Sequence, residues 1–492
     1  MLLMTILVLP LLGGTAVALG RGRTWSAWAA VASNGGALAL GIIAAVRVLR
    51  EGPLSGARGT LRADALSVFM VIVIGAISLL ASWLGVRTPA RAPEDGHRNP
   101  ERSAVYGVLV QAFVGFMILA VLAANVGVLW VAVEATTIVT AFLVGFRRTR
   151  GSLEASWKYI VICSVGIALA FLGTVFVYLA ALHAGGHSAH ALDWTSLMAH
   201  ARHFDPSLMR LAFGLLVLGY GTKVGLAPMH TWLPDAHSQA PAPVSALMSG
   251  VLLTVAFYAI LRFKAVTDVA LGPGFARTLL VIVGLLSLAL AASLLIAQRD
   301  YKRMLAYSSI EHMGLIALGA AAGIRLAIAA VLLHILGHGL AKSVLFLTSG
   351  EILTAEGTSR IDGVRSLVAR RPALGGLFGV GLVALLGLPP FSLFTSELVM
   401  VRAEFEVGLG WAAVLAMVAM VVVFIAVVGH ARHMLLGPAG PPRPAGSSGV
   451  TAPPPRWVAA PLIGGLVVCG FIGVFAWPLS GLLTAAARVV AT

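Results

Sequence analysis

Long apolar segments separated by short polar loops make up almost the whole chain. A membrane-spanning helix needs about 20 mainly apolar residues, and on that length the pattern predicts about fourteen helices. The predicted helices begin near Met1, Trp28, Asp64, Val105, Val126, Trp157, Leu208, Pro243, Phe275, Leu305, Leu326, Ala373, Leu409 and Trp457. The pattern therefore predicts an all-α integral membrane protein.

Two of the predicted spans are interrupted by glycine and proline beside an ionisable residue. In the seventh span, LVLGYGTKVGLAPMHTWLPDAHSQAP, Lys223 is followed by Pro228. In the twelfth, LLGLPPFSLFTSELV, Pro389 and Pro390 precede Glu397. Proline removes a backbone donor, so each helix should break near mid-membrane and leave backbone groups that need a protein-lined or watery cavity.

The two breaks lie five spans apart, which predicts two five-helix units. The units cover residues 105–264 and 275–435, and they would enter the membrane in opposite senses, as the inverted repeats of many secondary transporters do. Residues 1–104 would form a three-helix N-terminal segment. Residues 436–492 would form a linker and a final helix.

Composition and charge agree with a membrane protein. The chain has 492 residues, of which 59% are hydrophobic and 11% charged, and its mean hydropathy is +0.96. The net charge of +15 comes largely from arginines in short loops, such as Arg147 and Arg148, rather than from a nucleic-acid-binding patch.

The distribution of Lys and Arg predicts a bacterial-type cytoplasmic (inner) membrane protein with both termini in the periplasm. The first apolar run has no basic segment before it, so it is expected to be a span rather than a cleaved signal.

The sequence offers little for redox or nucleotide chemistry. Its two cysteines, Cys163 and Cys469, are too few for an iron–sulfur cluster, and no Walker-type phosphate loop is present. We therefore expect no cofactor and no metal in this chain. The histidines of one long loop, His183, His187 and His190, fit either a solvated connector or a metal site.

In the first unit, Glu134 and Lys223 are both expected to lie deep inside spans. Burial and pairing act in opposite directions on their proton affinities, so the two residues can exchange a proton as local hydration changes. The alternative is a static ion pair that fixes helix packing.

In the second unit, His334, His338 and Lys342 recur every four residues and share one helical face. Three titratable groups stacked over two turns predict a proton relay. Buried core histidines and a metal site are the alternatives, although no cysteine or carboxylate accompanies them on that helix.

Other titratable residues extend this pattern. Glu311 and His312 lie in the tenth span, where they fit either the relay or a structural pair, and Glu397 is the candidate exit toward the periplasm. Lys302 and Arg303 are interpreted as ordinary cytoplasmic anchors. Three residues near the end of the seventh span are predicted to form the water entrance, namely His230, Asp235 and His237.

Several strings together carry a family resemblance. GTKVGLAPMHTWLPDAHSQAP, followed by PVSALMSGVLLTVAFYAILRF, closely resembles the antiporter-like subunits of respiratory complex I and its relatives. VEATT, RDYKRMLAYSSIEHMG and GLPPFSLFTSE extend the likeness from the fourth to the thirteenth span. The SSIEHMG and GLPPF…SE strings are most similar to component F of membrane-bound [NiFe]-hydrogenases of the hydrogenase-4 type.

The resemblance implies a fold of fourteen helices with two inverted five-helix units. It also implies that Glu134 and Lys223 are the first unit's essential pair, on a hydrophilic axis that continues through Lys342 and Glu397. One departure is that the eighth span, Val244 to Phe263, is expected to lack the ionisable interior residue of complex I subunits. Waters held by the hydroxyls of this span would have to replace it, and these hydroxyls belong to Ser249 and Thr254.

These features lead to a proton-translocating membrane subunit whose partners are lipid, other membrane subunits and, through them, a peripheral hydrogenase or dehydrogenase module. Nucleic acid is not an expected partner. Two alternatives stay open, which are a subunit of a sodium/proton antiporter and the membrane partner of an inorganic-carbon uptake system.

Overall fold

The structure is a computed structural model that describes residues 1–21, 23–86, 100–186, 190–438, 456–475 and 477–491. Almost all of the described chain is helical. The N-terminal segment departs from the all-α prediction only by a small hairpin, in which Leu54 pairs with Ala63 in antiparallel register. Its elements are α1 (Leu2–Gly20), α2 (Thr24–Glu51), β1 (Leu54–Gly56), β2 (Leu61–Ala63) and α3 (Ala65–Gly85).

The region of the first predicted unit contains eight further α-helices and one π-helical turn between α10 and α11. These elements are α4 (Pro100–Leu122), α5 (Val126–Val144), α6 (Arg150–His183), α7 (Trp194–His200), α8 (Pro206–Val224), α9 (Trp232–Gln239), α10 (Ala242–Leu247), the π-turn Met248–Leu252 and α11 (Leu253–Leu271).

The region of the second unit and the C-terminal segment are described by nine α-helices. They are α12 (Pro273–Ile296), α13 (Tyr301–Ala322), α14 (Arg325–Glu356), α15 (Leu367–Arg370), α16 (Pro372–Leu385), α17 (Ser392–Glu406), α18 (Gly410–Leu436), α19 (Arg456–Val474) and α20 (Trp477–Val490).

A helix begins within seven residues of each predicted start, and the largest difference is between the predicted Trp157 and the observed Arg150. Local capping explains several of these starts. Asp64 accepts the Ser67 backbone N–H at 3.0 Å at the start of α3, and Asn125 does the same for Gly127 at 2.8 Å at α5. Such side chains satisfy donors that a helix leaves unpaired in its first turn.

Ten helices of the described chain are long and apolar enough to cross a membrane. The C-terminal segment, predicted as one helix, is divided into α19 and α20, which are bent by 75° and would count as an eleventh span. The predicted spans at α8, α13 and the short α16 fall outside that group. Fourteen crossings and the inverted repeats therefore stay predictions, whereas a multi-pass membrane protein is established.

Both predicted breaks are present. Helix α8 ends one residue after Lys223, and Gly225 follows in the left-handed region with φ +80°. Helix α16 ends at Leu385, Gly387 has φ +61°, and α17 begins at Ser392. Glycine adopts positive φ without the steric cost that a Cβ imposes, so the chain turns sharply at both breaks.

The centre of the molecule is formed by α14 and by the continuous stretch from α10 to α11. The most apolar window of each is wholly buried, in contrast to helices such as α1 and α18, which expose most of theirs. The π-turn that joins α10 to α11 contains Ser249, and such turns are frequent at functional sites. The described fold thus encloses two helices that carry polar side chains and surrounds them with helices that face lipid.

Close approach of α8 to α6 depends on Gly219. A Cβ at Gly219 would lie 2.4 Å from the Ala170 nitrogen and 2.6 Å from the Gly166 oxygen, whereas a Cβ at Gly214 of the same helix would meet nothing within 4 Å. We expect Gly219→Ala to destabilise the fold by about 1–3 kcal/mol or more, because backbone cannot move aside as a side chain can. Gly214→Ala should be neutral or slightly stabilising. Thermal unfolding of both purified variants in detergent tests this, and equal melting temperatures would contradict it.

Candidate functional site

Lys223 is fully buried at the end of α8, directly before the break. Its Nζ donates a hydrogen bond to the Tyr159 hydroxyl at 2.8 Å and lies 4.9 Å from the centroid of the same ring. Tyr159, on α6, is itself fully buried. The ammonium group is therefore held by a phenol and an aromatic face inside the bundle, and this contact was not predicted from the sequence.

Glu134 lies on α5 and is only partly buried. Its carboxylate accepts a hydrogen bond from the Thr137 hydroxyl at 2.9 Å. No ion pair joins Glu134 to Lys223 among the residues that the structure describes, so the static pair considered as the alternative is not formed. Tyr159 occupies the position next to the lysine, and Glu134 and Lys223 interact electrostatically without a salt bridge. Proton exchange between them stays a prediction.

Polar side chains satisfy the backbone groups that the first break frees. The Trp232 indole N–H donates to the Thr222 carbonyl at 2.8 Å, and the Ser287 hydroxyl accepts the Ala227 N–H at 2.9 Å. Unpaired backbone in a membrane interior costs several kcal/mol, about the value of a lost hydrogen bond in hydrocarbon. These hydrogen bonds therefore stabilise the break, and Lys223 lies at its edge.

In the second unit, His334, His338 and Lys342 lie on one face of α14, and all three are fully buried, as their spacing predicts. The Lys342 ammonium donates to the Ser308 hydroxyl and to the Leu305 carbonyl of α13. It also interacts electrostatically with Glu311. Lys342 is therefore surrounded by acceptors from α13 and makes no direct ion pair among the described residues.

A chain of side-chain hydrogen bonds crosses from α13 through α14 to α17. His312 Nδ1 lies 3.0 Å from His334 Nε2, and His334 Nδ1 lies 2.9 Å from the Ser396 hydroxyl. The carboxylate of Glu397, the residue after Ser396, lies against Gly387, where a Cβ would come within 2.1 Å of its Oε2. The predicted relay histidine, its neighbour on α13 and the predicted exit carboxylate are thus brought together.

Further polar residues lie in this part of the interior. The π-turn Ser249 hydroxyl lies 2.9 Å from that of Ser309, next to the serine that binds Lys342. Thr254 donates only to the Gly250 and Val251 carbonyls of its own helix, each at 3.0 Å. Among the predicted pair of hydroxyls, only Ser249 reaches another helix.

The predicted entrance residues have different environments. His230 is buried, and its Nδ1 lies 3.1 Å from the Pro228 carbonyl. His237 is fully buried, stacks on Phe346 with ring centroids 5.0 Å apart, and has no hydrogen-bond partner in the described structure. Asp235 is the most accessible of the three and forms ion pairs with Lys158, at 3.0 Å, and with Arg303.

The interpretation of Lys302 as a surface anchor is wrong. Its side chain is 1% exposed, and its Nζ donates to the Ser238 and Ala240 carbonyls at 2.8 and 2.9 Å. These carbonyls lie at the end of α9, where a helix has acceptors without intrahelical donors. Lys302 therefore caps the second half of the broken seventh span from within the protein.

The expectation that the eighth span lacks an ionisable interior residue is also wrong. Arg262 is buried, and it donates to Asp64 of the N-terminal segment at 2.6 Å and to Ser67 at 2.9 Å. Two residues further along α11, Lys264 forms a second buried ion pair, with Asp268. The predicted span ends at Phe263, one residue after Arg262, whereas the helix continues to Leu271.

Side chains that could bind a metal ion lie close together outside the histidine-rich loop. His190 of that loop bonds to Asp193 at 2.8 Å, and His187 lies outside the described residues. Within the described part of the chain, one group of three potential metal ligands has its ligand atoms within 4.8 Å of one another. The group consists of His312, His334 and Glu397.

Comparison with known sequences identifies the family. Residues 123–423 match the family model for the membrane-spanning region of NADH:quinone oxidoreductase and Mrp antiporter subunits. A hydrogenase-4 component F homolog of Methylacidiphilum infernorum (isolate V4) is 41% identical over 342 residues, which cover 70% of this chain and 72% of that protein. Hydrogenase-4 component B of Escherichia coli (strain K12) is 29% identical over 70% of this chain, but the match spans only 51% of that protein.

Solved structures share the fold. A chain of the membrane-bound sulfane sulfur reductase, an archaeal respiratory membrane complex, superposes with a TM-score of 0.86 at 23% identity over 99% of this chain and 97% of its own. A chain of Thermus thermophilus respiratory complex I gives 0.81 at 21% identity over the full length of both. The family model covers more than half of the sequence, and the resemblance that the sequence motifs indicate is confirmed. The chain is therefore a multi-pass membrane subunit of the NADH:quinone oxidoreductase/Mrp antiporter family.

Proposed function

We propose that this chain translocates protons across a bacterial-type cytoplasmic (inner) membrane as one subunit of a multi-subunit redox complex. The observation that carries the proposal is the row of buried titratable side chains that extends from Lys223 at the first break to Glu397 beyond the second. A charge in the bilayer centre costs at least about 2.5 kcal/mol on insertion scales, so such residues persist where they pair, hydrate or function. A purely structural role would not require so many of them in one interior.

The second unit offers the better-defined route. A proton on Lys342 lies beside the Ser308 hydroxyl, and His338 and His312 follow with ring centroids 5.0 Å apart. From His312 it can pass to His334 and on toward Ser396 through contacts of 3.0 and 2.9 Å. Each imidazole accepts a proton at one nitrogen and releases one from the other, which suits a relay.

The first unit supplies the charge that starts transfer. Glu134 and Lys223 sense each other electrostatically without direct contact, so loading a proton on either one changes the energy of charge on the other. Tyr159 keeps Lys223 oriented toward the interior. A change in the protonation of Glu134 or Lys223 then alters the electrostatic energy of the charged groups of the second unit, through the protein interior between the two units.

Proton transfer between Lys223 and His237 is the step that requires water molecules. No hydrogen bond joins these two residues in the described structure. His237 interacts electrostatically with Lys302 and Lys342, so it connects the break region to the second unit. Its two ring nitrogens are free of protein partners, which leaves both available to water molecules in a polar interior.

The face of α5 that carries Glu134 supports an assembly with other membrane subunits. Val131 and Ile138, on the same face, are each 57% exposed, and Glu134 itself is partly exposed. A carboxylate at a lipid-facing surface is costly, and a partner subunit would cover it. We place the redox centres, a hydrogenase or dehydrogenase module, in such partners, with both termini of this chain in the periplasm.

Proton uptake by reconstituted vesicles tests the function. The complex is purified through a tag on this chain, a potassium potential is imposed with valinomycin, and a pH-sensitive dye reports uptake. We expect Lys223→Ala and Glu134→Gln each to lower the rate at least about tenfold, the scale of losing a positioned proton carrier. Glu154→Gln, which removes an exposed carboxylate of α6, is the matched control and should keep the parent rate. Unchanged uptake in the first two variants would contradict the proposal.

The same vesicles separate the two alternatives. A sodium/proton antiporter would move protons in response to a sodium gradient without an imposed potential, whereas the proposed subunit would not. A membrane partner of inorganic-carbon uptake with a vestigial channel would show parent rates in all of these variants.

A further inference from the structure

Three ligand-bearing side chains converge from three helices at the second break. His312 comes from α13, His334 from α14 and Glu397 from α17. His312 Nδ1 and His334 Nε2 are 3.0 Å apart, and one ligand atom of each of the three residues lies within 4.8 Å of the others. Potential ligand atoms this close to one another, from three different helices, meet the spatial requirement of a metal site.

The distances suit a tetrahedral ion after small side-chain movements. Zinc binds imidazole nitrogen at about 2.0–2.1 Å and carboxylate oxygen at about 2.0–2.2 Å, so two ligands of a tetrahedral site lie about 3.3 Å apart. The observed separations, 3.0 Å for the two nitrogens and at most 4.8 Å in the set, bracket that value.

The histidines are prepared for ligation. His334 Nδ1 is bonded to the Ser396 hydroxyl, which fixes the ring and leaves Nε2 directed at the cluster, as outer-shell partners of metal ligands do. His312 is 1% exposed, and its Nε2 has no hydrogen-bond partner in the described structure. That nitrogen lies on the far edge of the ring from Nδ1, and Nδ1 is the nitrogen of His312 that faces His334 and the cluster.

Two carboxylates and one ammonium group set the local charge. Glu397 would be a ligand, and a Glu311 oxygen lies 4.0 Å from His312 Nε2. The two carboxylates face the two charges of the ion and that of the Lys342 ammonium, which interacts electrostatically with Glu311 and His312, in an interior where charge is costly. Two imidazoles with one carboxylate select zinc-like transition metals over magnesium or calcium, which prefer oxygen ligands.

We propose that His312, His334 and Glu397 form a binding site for a single divalent transition-metal ion of the zinc class, inside the membrane interior of this chain. The site differs from the sequence expectation of no metal, because α17 brings the carboxylate of Glu397 to the histidines. Binding by itself does not depend on proton conduction. The further consequence, that a bound ion closes the relay, rests on the proposed function, because the ion would occupy three of its groups.

Zinc binding to the full purified complex tests the site. The complex carries a tag without histidine, and its background chain carries His183→Gln, His187→Gln and His190→Gln to remove the loop histidines. Bound zinc is measured after dialysis against a weak chelator, and cobalt is used as an optical probe because its tetrahedral complexes absorb visible light. We expect about one zinc ion per chain to be lost in His334→Gln and in Glu397→Gln, in line with a single three-residue site.

The control is His237→Gln, which removes another fully buried histidine without hydrogen-bond partners and should keep both the zinc ion and the cobalt spectrum. Equal zinc content in the background chain, His334→Gln and Glu397→Gln would overturn the site. Thermal unfolding temperatures of the same samples show whether each variant is folded, and Glu397→Gln, the more conservative change, provides the answer if His334→Gln is not. Proton uptake measured with and without zinc then reports on conduction separately, so loss of the proposed function would leave the binding result intact.

Discussion

Replacing Lys342 with alanine is expected to lower proton uptake by the reconstituted complex at least about tenfold, the effect of removing a positioned proton carrier. Lys342 is fully buried, donates to the Ser308 hydroxyl and the Leu305 carbonyl, and interacts electrostatically with Glu311 and His338. Its loss removes the cation at the start of the second unit's hydrogen-bonded row. It also removes the ammonium group with which the buried Glu311 interacts electrostatically.

Lys302→Ala is the matched control, because Lys302 is an equally buried lysine whose Nζ contacts backbone carbonyls only. We expect it to lower the melting temperature, since it uncaps the end of α9, while folded protein keeps proton uptake near the parent rate. Equal loss of uptake in the two variants, at matched amounts of folded protein, would mean that buried lysines act through packing alone.

The buried pair of Arg262 and Asp64 should have the largest effect on stability. The guanidinium contacts both carboxylate oxygens at 2.6 Å and also binds Ser67. It further lies over the rings of Tyr258 and Trp194 at 5.0 and 5.5 Å. Breaking a buried ion pair by removing one partner costs about 3–5 kcal/mol, because the other charge stays buried. Arg262→Ala and Asp64→Asn should therefore each lower the melting temperature markedly.

Two controls make this expectation specific. The surface pair of Arg402 and Glu406, 72% and 44% exposed, should leave the melting temperature almost unchanged when Arg402 is replaced by alanine. Replacing both members of the buried pair, as Arg262→Met with Asp64→Asn, should recover part of the loss, since no unpaired charge stays buried and Asn can keep the N-cap of α3. Equal melting temperatures for Arg262→Ala and Arg402→Ala would show that the buried pair contributes no more than a surface one.

The sequence predicts local features of this fold well. The helix starts, the two breaks and the shared face of His334, His338 and Lys342 all follow from periodicity, proline and glycine within short windows. These properties depend on neighbouring residues, so one sequence is sufficient to find them. The family resemblance, which rests on continuous strings, is confirmed for the same reason.

Long-range partners are the part that the sequence does not predict. Arg262 meets Asp64 from across the chain, Lys223 meets Tyr159 rather than Glu134, and Lys302 reaches the end of α9. Each pairing depends on how helices pack, and no local pattern encodes it. The convergence of Glu397 on the histidines has the same origin, because Gly387 and the second break turn α17 back toward α14.

The most direct measurement is potential-driven proton uptake by vesicles that contain the purified complex with Lys223→Ala and Lys342→Ala combined. We expect uptake in the parent to be well above that of protein-free vesicles, and uptake in the double variant to equal that of protein-free vesicles. A folded double variant that takes up protons at the parent rate would contradict the claim that these buried residues carry protons across the membrane.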